Sequence, residues 1–265
     1  MATAIALTIA GSDPGGGAGI QADLKTFAAF GVYGASVLTA LTAQNTKGVS
    51  AIHEVPADFI AAQIDAVFSD LDVGAVKIGM LGNAGAIAAV AAGLDRHGAR
   101  NVVLDPVMVA SSGEDLLRAD AIDKLWTLIP KTRLLTPNLF EAAALLDAPL
   151  ARDEGDMLAQ GQRLLGRGAA AVLIKGGHAG GPDSVDLLVE AGNCTRLAAP
   201  RIATKNSHGT GCTLAAAIAA GLAKGQALGE AVRHAKDYVN AAIAAAGRLH
   251  VGSGRGPLHH FYKWW

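Results

Sequence analysis

Residues 4–19 read AIALTIAGSDPGGGAG, a short apolar run that passes directly into a glycine-rich loop. The run Ala4–Ala10 has the length and residue types of a buried β-strand, and the helical pattern resumes after the loop. A strand, a tight glycine loop and a helix in this order predict the first unit of an α/β fold, in which parallel strands alternate with helices.

The same alternation continues along the chain. Further candidate strands are Ser36–Leu41, Ala75–Ile78, Val102–Leu104, Leu134–Thr136 and Ala171–Ile174. Segments with helical periodicity lie between them, such as the stripe of Ile60, Ile64, Val67 and Phe68. We therefore predict a single domain, residues 1–265, with three layers: a mostly parallel central sheet and helices on both faces.

The last third of the chain departs from strict alternation. Ser184–Val189 and Thr195–Ala198 follow each other with no helix between them, which predicts an antiparallel hairpin near the sheet edge. Helical patterns then cover Leu214–Ala223 and Leu228–Ala246.

Composition excludes several classes of protein. The 265 residues carry a net charge of −1 and are 51% hydrophobic, which is too apolar for a disordered chain. The absence of a cationic excess argues against a nucleic-acid partner or a polybasic membrane contact. Two cysteines, no basic residue before Lys25 and no apolar run of about 18–20 residues lead us to expect a cytoplasmic protein in a reducing compartment.

The most informative loop is TKNSHGTGCT, residues 204–213, which opens the helix that contains Leu214. Gly209 and Gly211 bracket Thr210 at the helix start, so backbone amides and the helix dipole predict an anion hole there. Cys212 would lie in the first turn, where the dipole is expected to lower the thiol pKa. The alternative is a small buried cysteine.

The first loop, residues 11–19, contains five glycines, and we expect its amides to be free to approach a ligand. It is not a phosphate-binding loop of the Gly-Lys-Ser/Thr type. Ile20 stands where the third glycine of a dinucleotide-binding fingerprint belongs, which makes a dinucleotide-dependent oxidoreductase an unfavoured reading. A flexible turn is the simpler alternative.

Polar residues follow three other predicted strands. They are Asp105, the pair Asn138 and Glu141, and Lys175. Since the carboxyl ends of parallel strands meet at one edge, these groups could bind polyphosphate and Mg²⁺ together. Taken alone, Asn138 and Glu141 also fit a helix-capping box, and Lys175 a solvated strand end.

Several longer motifs carry a resemblance to a known family. They are ALTIAGSDPGGGAGIQADLKTF (6–27), LTAQNTKGV (41–49), KIGML (77–81), VVLDPVM (102–108), TPNLFEAAALL (136–146), IKGGH (174–178), KNSHGTGCT (205–213) and GPLHHF (256–261). On these motifs the chain resembles, nearly end to end, the hydroxymethylpyrimidine/phosphomethylpyrimidine kinases of thiamine biosynthesis, in the ribokinase-like superfamily. The resemblance implies two ATP-dependent transfers, first to the hydroxymethyl group of 4-amino-5-hydroxymethyl-2-methylpyrimidine and then to the monophosphate.

The resemblance also implies roles for individual residues. Gln44 and Asp23 would be polar contacts to the pyrimidine, with the Gly11 backbone near the ring and Met80 and Val107 as apolar walls. Gly209, Thr210, Gly211 and Lys175 would neutralise the transferring phosphoryl group. Asp105, Asn138 and Glu141 would lie near the phosphates, with Glu141 and Asp105 holding Mg²⁺ through water. ATP and Mg²⁺ are the implied cofactors, and relatives suggest a homodimer.

Cys212 stands where sugar and nucleoside kinases of this superfamily have an aspartate base. If the thiol is the base, replacing Cys212 should slow the first transfer more than the second, because a phosphate monoester is already anionic near pH 7. Two alternatives remain open: a pyridoxal or pyridoxine kinase, including a bifunctional enzyme, and a non-catalytic ligand-binding protein on the same fold. Val109–Leu116 and His178–Asp183 are candidate lids.

Overall fold

The computed structural model describes residues 2–110, 113–114, 116–177 and 181–265. Parts of both candidate lids, residues 111, 112 and 115 and residues 178–180, lie outside the described residues, and so does residue 1.

Strands and helices alternate through most of the chain. The strands are β1 (Ile5–Ser12), β2 (Tyr33–Asn45), β3 (Gly48–Glu54), β4 (Ala75–Ile78), β5 (Val102–Leu104), β6 (Leu134–Leu135), β7 (Val172–Lys175), β8 (Asp183–Glu190) and β9 (Asn193–Pro200). The α-helices are α1 (Gly19–Ala29), α2 (Ala57–Phe68), α3 (Ala84–Arg96), α4 (Leu139–Leu146), α5 (Glu154–Gly166), α6 (Thr210–Ala223) and α7 (Leu228–Ala245). Short 3₁₀ turns cover Ala119–Thr127, Ile129–Lys131 and Ala246–Arg248.

All nine strands belong to one sheet, in the order β3-β2-β1-β4-β5-β6-β7-β8-β9. Six neighbouring strands are parallel, in the sheet order β2, β1, β4, β5, β6 and β7. The antiparallel strand β3 forms one edge, and the antiparallel pair β8 and β9 forms the other. The predicted mostly parallel sheet is confirmed, as is the hairpin, in which Val189 pairs with Cys194. Sequence analysis missed β3, whose side chains are mostly exposed and carry no buried apolar run.

Side-chain alternation along the strands divides the core into two parts. Leu7, Ile9, Val76 and Ile78 face one side of the sheet, where α2, α3, α4 and α5 pack. Ala6, Ala75 and Val103 face the other side, against α1, α6 and α7. Both faces of the sheet are covered, which is why the central strands read as continuous apolar runs and not as alternating ones.

Helix α6 is the most deeply buried helix of the second layer. Every residue from Thr213 to Leu222 is buried, because the helix packs against α1, α7 and the sheet. Its small alanine side chains permit that close approach. The packing fixes the direction in which the start of α6 points, toward the carboxyl ends of the parallel strands. Among the described residues, no helix is long and apolar enough to span a bilayer.

Candidate active site

The predicted strand-exit residues come together because their strands are parallel neighbours. β1, β4, β5, β6 and β7 are adjacent in the sheet, so their carboxyl ends share one edge. Gly11, Met80, Asp105, Asn138 and Lys175 lie at or just beyond those ends.

A charged cluster occupies the centre of this edge. The Lys175 ammonium lies 2.5 Å from Oδ1 of Asp105 and 3.7 Å from Oε2 of Glu141. Thr136 donates to the same Asp105 oxygen over 3.1 Å. Burial disfavours the charged lysine, but the Asp105 and Glu141 carboxylates outweigh it and raise the pKa of Lys175, so the cation persists at neutral pH.

Asn138 and Glu141 form a reciprocal cap at the start of α4. The Asn138 side chain accepts from the Glu141 amide at 2.9 Å, and Glu141 accepts from the Asn138 amide at 2.7 Å. Burial raises the pKa of Glu141 to about 7, although Lys175 opposes the shift. The two hydrogen bonds confirm the capping box that the sequence offered for this pair. The same cap holds the Glu141 carboxylate beside Lys175.

The start of α6 faces the cluster. Gly209 has a φ of +82°, and a Cβ there would overlap the carbonyl oxygen of Gly17, so only glycine fits this position. A Cβ on Gly211 would lie 3.4 Å from both Oδ2 of Asp105 and Nζ of Lys175. Within the described residues, no backbone or side-chain group accepts the amides of Gly211 and Cys212. Free amides and an ammonium group thus converge on one point, as an anion site requires.

Cys212 does not behave as the sequence predicted. Burial raises the pKa of its thiol to about 11, even though Lys77 and the Gly19 amide act in the opposite direction. The expected lowering of the thiol pKa is wrong, because removal of the thiolate from water outweighs the favourable Lys77 charge and Gly19 amide. The thiol is protonated at neutral pH.

The first glycine-rich loop also differs from the expectation. Oδ1 of Asp13 accepts from the amide of Gly15 at 2.8 Å, and Oδ2 accepts from Gly17 at 3.0 Å and Ala18 at 2.9 Å. The Gly16 amide donates to the Asp13 carbonyl. The predicted free amides are therefore used within the loop, which is a rigid turn closed by its own carboxylate and not an anion cradle.

Asp23 of α1 is enclosed by protein on the side of β1 and β4. Its side chain is fully buried and pairs with Lys77 at 2.8 Å and with Thr8 at 2.6 Å. Both contacts use Oδ2, and Oδ1 has no hydrogen-bond partner among the described residues, so a contact between Asp23 and a ligand stays a prediction. Burial lowers the pKa of Lys77, but the Asp23 carboxylate more than compensates, so the pKa lies above the usual value.

The remaining predicted ligand residues lie near the carboxyl ends of β1, β4 and β5 and at the start of α6. A Cβ on Gly11 would lie 3.0 Å from Sδ of Met80, so these two residues are neighbours. Met80 also lines a cavity of about 480 Å³ with Glu54 and Leu117. Val107 is partly exposed two residues after Asp105, and Thr210 is partly exposed at the start of α6.

Gln44, near the end of β2, contacts a residue that sequence analysis left without a role. The nitrogen of its side-chain amide lies 3.3 Å from Nε2 of His208, and the same ring nitrogen lies 2.9 Å from Oδ2 of Asp13. Two features of the sequence could have pointed to this contact. His208 lies one residue before Gly209, and Asp13 opens a glycine-rich turn.

The three-layer fold, with charged groups gathered at the carboxyl edge of its sheet, defines a kinase of the ribokinase-like class. A family model described as phosphomethylpyrimidine kinase matches residues 13–259, and the chain belongs to that family. It is a phosphotransferase. The hydroxymethylpyrimidine/phosphomethylpyrimidine kinase of Rhizobium meliloti (strain 1021) is 60% identical over 264 residues, 99% of each chain.

Solved structures agree with this assignment. The phosphomethylpyrimidine kinase of Clostridium difficile 630 is 42% identical with a TM-score of 0.80, covering 90% of this chain and 99% of the other. The pyridoxal kinase of Bacillus subtilis, in an ADP complex, is 36% identical with a TM-score of 0.90, covering 98% of each chain. The family assignment confirms the kinase reading and excludes the oxidoreductase.

Proposed function

We propose that this chain transfers phosphate from ATP to the hydroxymethyl group of 4-amino-5-hydroxymethyl-2-methylpyrimidine, and then to the resulting monophosphate. The observation that carries the proposal is the meeting of the free α6 amides with the Lys175–Asp105 pair at the sheet edge. The name of the Rhizobium meliloti relative supports the choice of substrate.

The phosphate side works by positioning and charge neutralisation. A loose transition state spreads negative charge over the transferring phosphoryl group and asks little covalent chemistry of the protein. The amides of Gly211 and Cys212 and the ammonium of Lys175 lie where that charge develops. Because these donors are already fixed by α6 and by Asp105, they need no reorganisation during the transfer.

The residues present fit Mg²⁺ held through water. Among the described residues no group of three or more His, Cys, Asp or Glu side chains is placed to bind a metal directly. Mg²⁺ usually keeps several waters and takes one or two carboxylates together with substrate phosphates. Asp105 and Glu141 would hold it in this way, and the ion would supply further neutralisation of phosphate charge.

The two transfers place different demands on a base. The alcohol must lose a proton, whereas the monophosphate oxygen is already anionic near pH 7. Since the Cys212 thiol is protonated, its contribution is a neutral, closely packed wall at the anion site. The alcohol proton would then pass late in the loose transition state to an oxygen of the transferred phosphoryl group, where little basicity is required.

The substrate side comprises Gln44, the Gly11 backbone, Met80 and Val107. Gln44 offers a donor and an acceptor to an aminopyrimidine edge, and Met80 offers an apolar surface. Pyridoxal is the second candidate substrate, favoured by the TM-score of 0.90 to the Bacillus subtilis pyridoxal kinase.

One assay tests the proposal. Transfer from ATP is measured with the pyrimidine alcohol, its monophosphate and pyridoxal, each with and without Mg²⁺. We expect turnover of both pyrimidines and a kcat/KM for pyridoxal at least about tenfold lower. Turnover of pyridoxal alone would identify pyridoxal, and not the pyrimidine, as the substrate. No transfer to any acceptor would support a non-catalytic binding protein.

We propose in addition that two copies associate through β3. This edge strand presents the exposed side chain of Ile52, which pairs with Thr42 of β2. An edge strand with an exposed apolar side chain favours association. Light scattering of the wild type and of Ile52→Lys tests this, and a monomer in both would contradict it.

A further inference from the structure

His208 joins three parts of the chain that meet at the mouth of the site. Its ring is buried and lies between Asp13 of the first loop and Gln44 of β2. Its backbone amide donates to the carbonyl of Gly256 near the C-terminus. None of the roles assigned above uses this side chain.

The Asp13 carboxylate determines which atom of His208 carries a hydrogen. Burial would raise the pKa of Asp13, but the His208 contact and the backbone donors outweigh it, so the pKa lies below the usual value and the group is ionised. An ionised carboxylate only accepts hydrogen bonds. Nε2 of His208, 2.9 Å from Oδ2, must therefore be the protonated nitrogen, whether the ring holds one proton or two.

The hydrogen on Nε2 of His208 conflicts with a Gln44 amide nitrogen placed next to it. The amide nitrogen at 3.3 Å is itself a donor, so two N–H groups would face each other. With the amide oxygen in that place, the Nε2 hydrogen would be shared between Asp13 and Gln44.

Thr42 leads independently to the same orientation. Its Oγ1 donates its one hydrogen to the carbonyl of Ser12 at 2.8 Å. The other contact of this oxygen, 3.1 Å to Oε1 of Gln44, then joins two acceptors. An amide nitrogen in that place would donate to Oγ1 instead. The oxygen and nitrogen of an amide have the same shape, and their assignment follows from the hydrogen-bond network.

We propose that His208 and Thr42 fix the Gln44 amide with its oxygen toward His208 and its nitrogen toward Thr42, and that this fixed order selects the 4-aminopyrimidine edge. The remaining oxygen lone pair accepts from the exocyclic amino group, and the remaining N–H donates to the adjacent ring nitrogen. The selection rests on the proposed function, whereas the orientation itself does not.

The fixed order predicts rejection of one close analogue. A 4-oxo pyrimidine presents an acceptor and a ring N–H, the reverse of the 4-amino pattern. An amide that could turn over would serve both rings, but an anchored amide leaves buried groups mispaired against the oxo ring. His208 and Thr42 are positioning residues in this scheme, since they act through Gln44.

Neutron diffraction of the wild-type protein tests the orientation directly. Deuterium on Nε2 of His208, and on the Gln44 atom beside Thr42, would support it. Deuterium on the Gln44 atom beside His208 would overturn it. This result does not depend on activity, so it separates failure of the inference from failure of the proposed function.

Kinetics test the selection. We expect the wild type to favour the 4-amino over the 4-oxo alcohol by about 100-fold in kcat/KM. Thr42→Val should reduce this ratio by about tenfold or more, with the KM for ATP within about twofold, because only the anchor of the amide nitrogen is lost. Thr42→Ser, which keeps the hydroxyl, should retain the ratio. An unchanged ratio in Thr42→Val would refute the selection.

His208→Gln and His208→Leu form a second pair. Glutamine can place an N–H near the position of Nε2, and leucine cannot. Restoration of the ratio by glutamine but not by leucine supports positioning. Equal loss of the ratio in both variants, with native circular dichroism, would contradict it.

Discussion

Two glycine-rich turns of this chain look alike in sequence and differ in the folded protein. Residues 11–19 and residues 209–211 each lie at the start of a helix, and each was expected to offer free amides. In the first turn the Asp13 carboxylate takes the amides of Gly15, Gly17 and Ala18. In the second turn no group of the described residues accepts the amides of Gly211 and Cys212, and Gly211 lies beside Lys175 and Asp105. Glycine content alone therefore does not make an anion site; the acceptors already present in the turn decide it.

Replacement of Asp13 by Ala should have the largest effect on stability. It leaves three backbone N–H groups and the His208 ring without their acceptor in a buried place, at about 1–3 kcal/mol for each group that finds no water. We expect the free energy of unfolding to fall by about 4 kcal/mol, measured by urea denaturation. Asp13→Asn keeps one acceptor oxygen and should lose about half as much. A loss below about 1 kcal/mol for the alanine variant would mean that the first turn closes without its carboxylate.

Acidification should affect His260, which contacts the start of α6, at a higher pH than Asp13, which closes the first turn. Burial lowers the pKa of His260 to about 4, and this ring contacts Thr213 in the first turns of α6. The unfolded chain binds the proton near pH 6.5, so stability falls as the pH drops from 6.5 to 4, by up to about 3 kcal/mol. Asp13 has a lowered pKa in the folded protein, so its protonation reduces stability only when the pH falls below about 3.8.

Thermal unfolding at pH 7, 5 and 4 measures this difference. His260→Gln should flatten the dependence between pH 6.5 and 4. The same slope in wild type and His260→Gln would show that another group carries the acid sensitivity.

Gly211→Ala should impair catalysis while the fold persists. Its methyl group would lie 3.4 Å from Asp105 and Lys175, in the space assigned to the phosphoryl group, but no left-handed φ forbids it. We expect kcat to fall by about 100-fold with a change in stability below about 1 kcal/mol. The matched variant in the other turn, Gly15→Ala, brings its methyl group to 3.0 Å from Oδ1 of Asp13 and so costs some stability, but it should keep kcat within about threefold. Equal kinetic losses in both would remove the distinction between the turns.

Cys212→Ala should give the smallest effect. Because the thiol is protonated at neutral pH, we expect both phosphoryl transfers to slow by a similar factor, below about tenfold. Separate steady-state kinetics with the alcohol and the monophosphate measure it. A much larger loss for the alcohol would restore the base role that the sequence suggested.

Much of the fold could be predicted from sequence because buried parallel strands have a strong local signature. Ala75–Ile78 and Val102–Leu104 have the same bounds in sequence and structure, and the helix predicted over Leu228–Ala246 differs by one residue. The edge strand β3 was missed because its stability comes from pairing with β2, and its exposed side chains show no apolar pattern.

The candidate site divides in the same way. Asp105, Lys175, Glu141 and the Gly209–Gly211 turn were predicted correctly as neighbours, since position at a strand end is a property of the sequence pattern. The state of Cys212, the burial of Asp23 and the role of His208 were not accessible from the pattern. Each depends on groups distant in sequence, such as Lys77 for Asp23 and Asp13 for His208, 195 positions away.

The sequence by itself determined the class of fold, the family and the edge of the sheet at which the candidate site lies, because hydrophobic periodicity and local motifs encode these directly. Only the tertiary structure decided which amides are free, which carboxylates are buried against a lysine and whether the thiol is ionised. Those properties depend on desolvation and on hydrogen-bond partners supplied by remote segments, and neither is written in any local stretch of the chain.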